Sequence, residues 1–192
     1  MTNKTVKRII LFASGSGTNV ENIINFFAYN VYVKVIFVIT NNPKAPVLKR
    51  TKKLKIPSFV FSKNDLYNEN LLRRIKTIKP DLIVLAGFLL KLPFEFIKSF
   101  PKKIINLHPS LLPKYGGKGM YGINVHKCVK DAGETETGIT IHYVNEIYDK
   151  GEIIFQAKTQ LSKKDNIEQI AEKVKLLEYT HLPQVINKII NS

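Results

Sequence analysis

The stretch Val6-Lys7-Arg8-Ile9-Ile10-Leu11-Phe12-Ala13, followed by Ser14-Gly15-Ser16-Gly17-Thr18-Asn19 and then Val20-Glu21-Asn22-Ile23-Ile24-Asn25-Phe26-Phe27-Ala28, decides the fold. An apolar run of strand length ends at a glycine-rich turn, and apolar residues then recur at helical spacing. Val6–Ala13 is therefore expected to be a buried strand and Asn19–Ala28 a helix, with Asn19 as its N-cap. The alternation repeats. Strands are expected at Tyr32–Thr40, Ser58–Phe61, Leu82–Ala86 and Lys103–Leu107. Helices are expected at Ala45–Leu54, Asp65–Ile78 and Pro93–Ser99. Strands alternating with helices imply an α/β domain with a parallel sheet. After an irregular stretch from His108 to Gly119, a helix is expected at Tyr121–Lys130. Two strands, Thr137–Val144 and Glu152–Thr159, should follow around a turn at Asp149-Lys150-Gly151. Asn166–Ile190 reads as an amphipathic helix with a break near Pro183. No internal repeat or linker divides the 192 residues, so 1–192 is expected to be one domain.

The glycine loop sits between a strand and a helix. Its glycines permit positive φ and close approach of a ligand. The free N–H groups and dipole of the helix N-terminus suit an anion. A dinucleotide site is not indicated, because Val20 stands where a third glycine belongs and Thr40-Asn41-Asn42 supplies no ribose-binding acid. No Gly-Lys-Ser/Thr follows, so a P-loop is not indicated either. A phosphate monoester fits better than NAD or ATP, and a tight glycine turn with no ligand is the alternative.

Asn106-Leu107-His108-Pro109-Ser110 ends the fifth strand. Strand alternation puts Asn106 and His108 on one side, at the carboxyl edge where open parallel sheets bind ligands. An amide and an imidazole aimed together can stabilise an oxyanion and move a proton. Asp149, in Tyr148-Asp149-Lys150-Gly151, would favour an imidazolium if it reached His108. Spacing leaves open whether it does so or is only a turn residue. His126 and His142 are expected to be structural, with His142 the better placed to support the site because its strand leads into the Asp149 turn. His181 is expected at the surface, and Cys128 in buried packing. Phe12, Phe26, Phe37, Phe59 and Phe61 are expected in the core. Glu134 and Glu136 flank a turn and call for no special role. The His, Cys and acid spacings form no metal motif.

The formal net charge of +15 raises nucleic acid as a partner. Only Arg8, Arg50, Arg73 and Arg74 among the 30 basic residues are arginines, and the lysines are scattered. That favours compositional drift over a recognition surface, although a positive field would steer anionic substrates. One cysteine permits no internal disulfide, which fits a reducing compartment. The first apolar run is too short for a signal core or a membrane span, so a soluble cytoplasmic protein is expected.

The G-S-G-T-N loop, L-A-G-F at Leu85–Phe88, N-L-H-P-S-L-L-P-K-Y at Asn106–Tyr115 and D-K-G-E-I-I-F-Q at Asp149–Gln156 together resemble the glycinamide ribonucleotide formyltransferase family. The resemblance spans nearly the whole chain. It implies a Rossmann-like formyltransferase fold, with a mostly parallel sheet, an antiparallel C-terminal part and flanking helices. It also implies formyl transfer from 10-formyltetrahydrofolate to the amine of glycinamide ribonucleotide in purine synthesis, without a metal. Asn106, His108 and Asp149 match the family's catalytic trio, with Asp149 keeping His108 cationic. Gly17, Thr18 and Asn19 match the phosphate loop, and Lys175, Leu176, Leu177 and Glu178 a segment that contacts the ribonucleotide. Leu89, Leu90, Lys91 and Leu92, together with Asn145, Glu146, Ile147, Tyr148 and Asp149, match segments that line the folate pocket with Asn106. Lys63 matches a basic residue near the folate.

Leu89-Leu90-Lys91-Leu92 departs from the family's usual Met-Arg-Ile-Leu, and Gly116–Gly122 is richer in glycine than the common form, as a mobile lid would be. The implied partners are the two small substrates, with no nucleic acid or membrane and with the chain as monomer or homodimer. Methionyl-tRNA formyltransferases share the N-x-H-P-S-L-L-P block but carry a further C-terminal domain. Formylfolate hydrolases usually carry an N-terminal regulatory domain. A non-catalytic basic nucleotide-binding module is the alternative of another class.

Overall fold

Side-chain alternation along the first strand, β1 (Lys7–Phe12), divides the protein into layers. Ile9 and Leu11 point into one apolar cluster, and Ile10 and Phe12 into the other. The structure is a computed structural model that describes residues 5–192. The first four residues of the basic N-terminal stretch lie outside the described residues.

The elements follow the expected alternation through α1 (Thr18–Phe27), β2 (Val33–Thr40), α2 (Val47–Lys53), β3 (Ser58–Val60), α3 (Lys63–Tyr67), α4 (Asn70–Ile78), β4 (Leu82–Leu85), α5 (Phe94–Ser99) and β5 (Ile104–His108). α6 (Ile123–Asp131), β6 (Glu136–Tyr143), β7 (Ile153–Gln160) and α7 (Ile167–Asn191) complete the chain. The seven strands form one sheet in the order β3-β2-β1-β4-β5-β6-β7. β1 to β5 run parallel, and β6 and β7 pair antiparallel. The result is the α/β fold expected, mostly parallel with an antiparallel C-terminal part. α1 and α7 cover one face, through Val20, Ile23, Phe27, Val174, Leu182 and Ile186. α3, α4 and α5 cover the other, through Leu66, Leu71, Leu72, Ile75 and Phe96. Strand order reverses between β1 and β4, and a crevice opens at the carboxyl ends there. No helix among the described residues is long and apolar enough to cross a membrane.

Five local expectations are corrected. Asn19 is not the N-cap: Gly17, at φ 71°, holds that position and places Asn19 inside the first turn. Asp65–Ile78 is two helices. A reciprocal Ser62–Asp65 capping box starts α3 at Lys63, and Glu69, at φ 67°, separates it from α4. Phe26 lies on the outer face of α1 and is 48 % exposed rather than core. His181 is half-buried, its ring 5.0 Å from that of Phe155, and Cys128 is half-buried rather than fully enclosed.

The sixth correction carries energetic weight: α7 runs unbroken through Pro183. Proline has no N–H to give the carbonyl of Tyr179, four residues earlier. The Asn22 side chain of α1 donates to that carbonyl instead, at 2.9 Å. One amide thus replaces the missing helix bond and ties α1 to α7. Asn22→Ala leaves the carbonyl without this donor and should cost about 1–3 kcal/mol. A urea unfolding midpoint that falls accordingly supports this role for Asn22, and an unchanged midpoint refutes it.

Candidate active site

The loop after β1 is held from three sides. The Ser14 hydroxyl donates to Asn41 Oδ1 after β2 (2.6 Å) and accepts from the Leu89 N–H after β4 (3.0 Å). Arg50 Nε donates to the Ser16 carbonyl at 2.8 Å, and the same guanidinium pairs with Glu21. Gly17 is required twice over, because its φ is left-handed and a Cβ there would run into the Val47 side chain. Thr18 and Asn19 stand in the first turn of α1, where backbone N–H groups lack a carbonyl one turn earlier. Asn19 Nδ2 donates to Glu178 Oε2 of α7 at 2.8 Å, while Asn19 Oδ1 is buried without a partner. Burial raises the Glu178 pKa, against the opposing influence of Asn19 and Lys175. The glycine loop and the Lys175–Glu178 segment are therefore parts of one wall.

β5 and β6 assemble the second part. Antiparallel register sets Asn106 opposite His142 and His108 opposite Thr140. Thr140 Oγ1 donates to the Ser110 carbonyl at 2.7 Å and accepts from the Leu112 N–H at 3.0 Å, which fixes the chain leaving His108. His108 and His142 are only 3 % and 2 % exposed. Asp149 sits between them in the turn after β6. Its Oδ2 lies 3.6 Å from His108 Nδ1 and accepts the Gly117 N–H at 2.8 Å. Its Oδ1 lies 3.6 Å from His142 Nε2 and 3.5 Å from Asn106 Nδ2. His142 Nδ1 donates to the Tyr143 carbonyl at 2.8 Å, leaving Nε2 to accept from Asn106 Nδ2 at 3.2 Å. The second amide hydrogen of Asn106 has only the long contact to Asp149.

The protonation of His108 departs from expectation. Burial lowers its pKa below the ordinary 6.5, and the Asp149 charge and Tyr115 carbonyl only partly oppose this. Enclosure therefore favours a neutral His108 ring before substrate binds, against the imidazolium that a neighbouring carboxylate favours. Its Nε2 lies 2.7 Å from the Tyr115 carbonyl, so Nε2 carries the proton and Nδ1 faces Asp149 with a lone pair. Burial acts to raise the Asp149 pKa, but the Gly117 hydrogen bond and the electrostatics of the two neighbouring imidazole rings outweigh it. Asp149 is anionic.

Both parts open into one cleft of about 870 Å³, within the range of small-molecule sites. Gly17, Thr18, Asn19, Lys175 and Glu178 line one end. Leu89, Leu90, Lys91 and Leu92 line the other with Asn145, Ile147, Tyr148 and Asp149, and Asn106 and His108 lie between. The Lys91 ammonium sits 5.6 Å from the Tyr148 ring centroid. Residues 117–123 complete the wall. Lys63, Glu146, Leu176 and Leu177 do not line the cleft. Lys63 is exposed at the start of α3, Leu176 is exposed, and Leu177 packs on the core. Among the described residues, no group of three or more His, Cys, Asp or Glu is placed to hold a metal ion.

Gly117 and the Tyr115 carbonyl were not singled out from sequence, and backbone groups leave no residue-type signal. His142 carried a usable signal in its strand alternation and its approach to the Asp149 turn.

The family described as "Formyl transferase" matches residues 7–186. The phosphoribosylglycinamide formyltransferase of Haemophilus influenzae is 36% identical over 187 residues, covering 94% of this chain and 86% of that one. The chloroplastic phosphoribosylglycinamide formyltransferase of Arabidopsis thaliana is 35% identical, covering 95% and 65%. This chain spans about two thirds of that plant relative and 14% of a similar trifunctional purine biosynthetic protein of Drosophila pseudoobscura. The crystal structure of phosphoribosylglycinamide formyltransferase from Anaplasma phagocytophilum superposes with a TM-score of 0.88 at 32% identity, covering 97% of this chain and 88% of the other. With its sequence matched from the first strand to the last helix, and its sheet shared with those structures, this chain belongs to the formyl transferase family.

Proposed function

We propose that this chain transfers the formyl group of 10-formyltetrahydrofolate to the amine of N1-(5-phospho-D-ribosyl)glycinamide, giving the N-formyl product and tetrahydrofolate, in purine synthesis. The observation that carries this reading is the placement of Asn106, His108 and Asp149 between a helix-N-terminal loop and an apolar wall in one cleft. The names of the relatives point to the same substrates.

Gly17, Thr18 and Asn19 would hold the phosphate at the N-terminus of α1, and Lys175 and Glu178 the rest of the ribonucleotide. Leu89–Leu92, Asn145, Ile147 and Tyr148 would receive the folate against their apolar and backbone groups, with Lys63 and Glu146 outside the cleft. When bound, the folate supplies the activated one-carbon unit. The amide hydrogen of Asn106 that makes only the long contact to Asp149 turns to hold negative charge on the formyl oxygen. Neutral His108 takes the proton of the attacking amine on Nδ1, against Asp149, and returns it to the departing nitrogen. Asp149 thus makes the imidazolium affordable at the moment it forms, rather than maintaining it beforehand. The N-terminal half binds the phosphate, and the C-terminal half of the same domain binds folate and carries the chemistry. The chain would act in the cytoplasm as a monomer or homodimer, without a metal, nucleic acid or membrane.

Mixing the protein with 10-formyltetrahydrofolate and the ribonucleotide should release tetrahydrofolate. No release would reject the reading. His108→Ala should lower kcat roughly 100- to 10,000-fold and leave ribonucleotide binding nearly intact. Full turnover in that variant would remove His108 from the mechanism.

The pH profile has a definite sign. His108 must start neutral, so the rate should fall on acidification, with a midpoint below the ordinary 6.5. Asp149 acts to raise that midpoint. Asp149→Asn should therefore move the acid limb to lower pH and also lower the plateau. An unmoved limb would show that the carboxylate is not coupled to His108.

A further inference from the structure

Behind His108, on the side away from the cleft, lies a polar cluster that the reaction does not touch. Glu134 Oε1 accepts from the Tyr115 hydroxyl and from Lys114 Nζ, each at 2.8 Å. The backbone of the same Tyr115 supplies the carbonyl that accepts from His108 Nε2 at 2.7 Å. Tyr115 is also held at φ 55°, a left-handed conformation costly for a tyrosine. Something must hold the residue there. Two residues on, the Gly117 N–H is tied to Asp149 at 2.8 Å, which fixes the loop but not the Tyr115 side chain. The Ser110 hydroxyl donates to the Lys114 carbonyl at 2.8 Å and reaches the Tyr115 carbonyl only at 3.4 Å. The phenol–carboxylate bond is the side-chain anchor of Tyr115.

We infer that Glu134 is a positioning residue for His108: through the Tyr115 phenol it holds the Tyr115 carbonyl on Nε2, which keeps the proton there and leaves Nδ1 open to the proton of the attacking amine. In the other neutral tautomer, Nε2 would present a lone pair to the carbonyl oxygen and forfeit the bond. The groups at Glu134 suit the task. The Lys114 ammonium and the Tyr115 hydroxyl hold its carboxyl below the ordinary range. Burial and the bond to Glu134 push the Tyr115 phenol up to about 12, so it remains a donor. The titratable groups facing His108 itself are Asp149 and His142, and Glu134 acts on it only through the backbone.

The inference rests on the proposed role of His108, and the test separates the two. Kinetics of the full chain would be measured for Tyr115→Phe, Glu134→Ala, Glu134→Gln, the Tyr115→Phe/Glu134→Ala double variant and His108→Ala. Tyr115→Phe and Glu134→Ala should each lower kcat roughly tenfold, the effect usual for residues that orient a site's ligands, with the KM for the ribonucleotide unchanged. The double variant should be no worse than the poorer single one, because both substitutions break the same contact. Glu134→Gln keeps an oxygen acceptor for the phenol and should recover part of the kcat lost in Glu134→Ala. The Tyr115 carbonyl raises the His108 pKa, so loosening it should shift the acid limb to lower pH. If the variants lose thermal stability while kcat and the acid limb stay at wild-type values, and His108→Ala is inactive, the cluster is merely structural and this inference fails alone. If His108→Ala turns over normally, the reading of His108 fails and takes the inference with it.

Discussion

A carboxylate enclosed by protein must be matched, and the matching of Asp149 organises the site. Its side chain is 10 % exposed, and two imidazoles, one amide and one backbone N–H converge on its two oxygens. The closest of these is the Gly117 N–H at 2.8 Å, and the others lie at 3.5–3.6 Å. The convergence also joins distant parts of the chain. β5 brings Asn106 and His108, β6 brings His142, the segment after Pro113 brings Gly117, and the turn after β6 brings Asp149 itself. The antiparallel return of β6 beside β5 makes this possible, because it sets His142 opposite Asn106 and ends close to the parallel edge.

That arrangement separates two effects of a carboxylate beside a histidine. Proximity of opposite charge favours the imidazolium, whereas enclosure favours the neutral ring. At His108 enclosure is the larger influence, and it favours a neutral ring with its single proton committed to the Tyr115 carbonyl. Such a ring is a base with its conjugate acid already provided for. Once Nδ1 is protonated, both nitrogens have acceptors. A neutral resting imidazole adds no charge that would repel the incoming amine, yet the ring is preorganised for the charge that develops.

How far the sequence could be read follows from the range of the forces involved. β1, the glycine loop and α1 are local, and their order was legible from periodicity and glycine placement. Asn106 and His108 were legible as neighbours because strand alternation is strict. Asp149 was legible only through resemblance to a family, since 41 residues separate it from His108 and no local rule spans that distance. Pro183 misled because proline usually ends a helix, and its rescue by Asn22 is a contact across 157 positions. Asn19 misled because a good capping residue lay two positions after a glycine that met a steric demand from Val47. The protonation of His108 was not legible, because sequence reveals a carboxylate nearby but not the degree of enclosure.

The measurement closest to the centre of this account is an NMR titration of the His108 ring nitrogens in the intact protein without substrates. The account predicts a neutral ring at pH 7 with the proton on Nε2, becoming a cation only below the ordinary histidine range. A doubly protonated ring at neutral pH, or a neutral ring protonated at Nδ1, would contradict it.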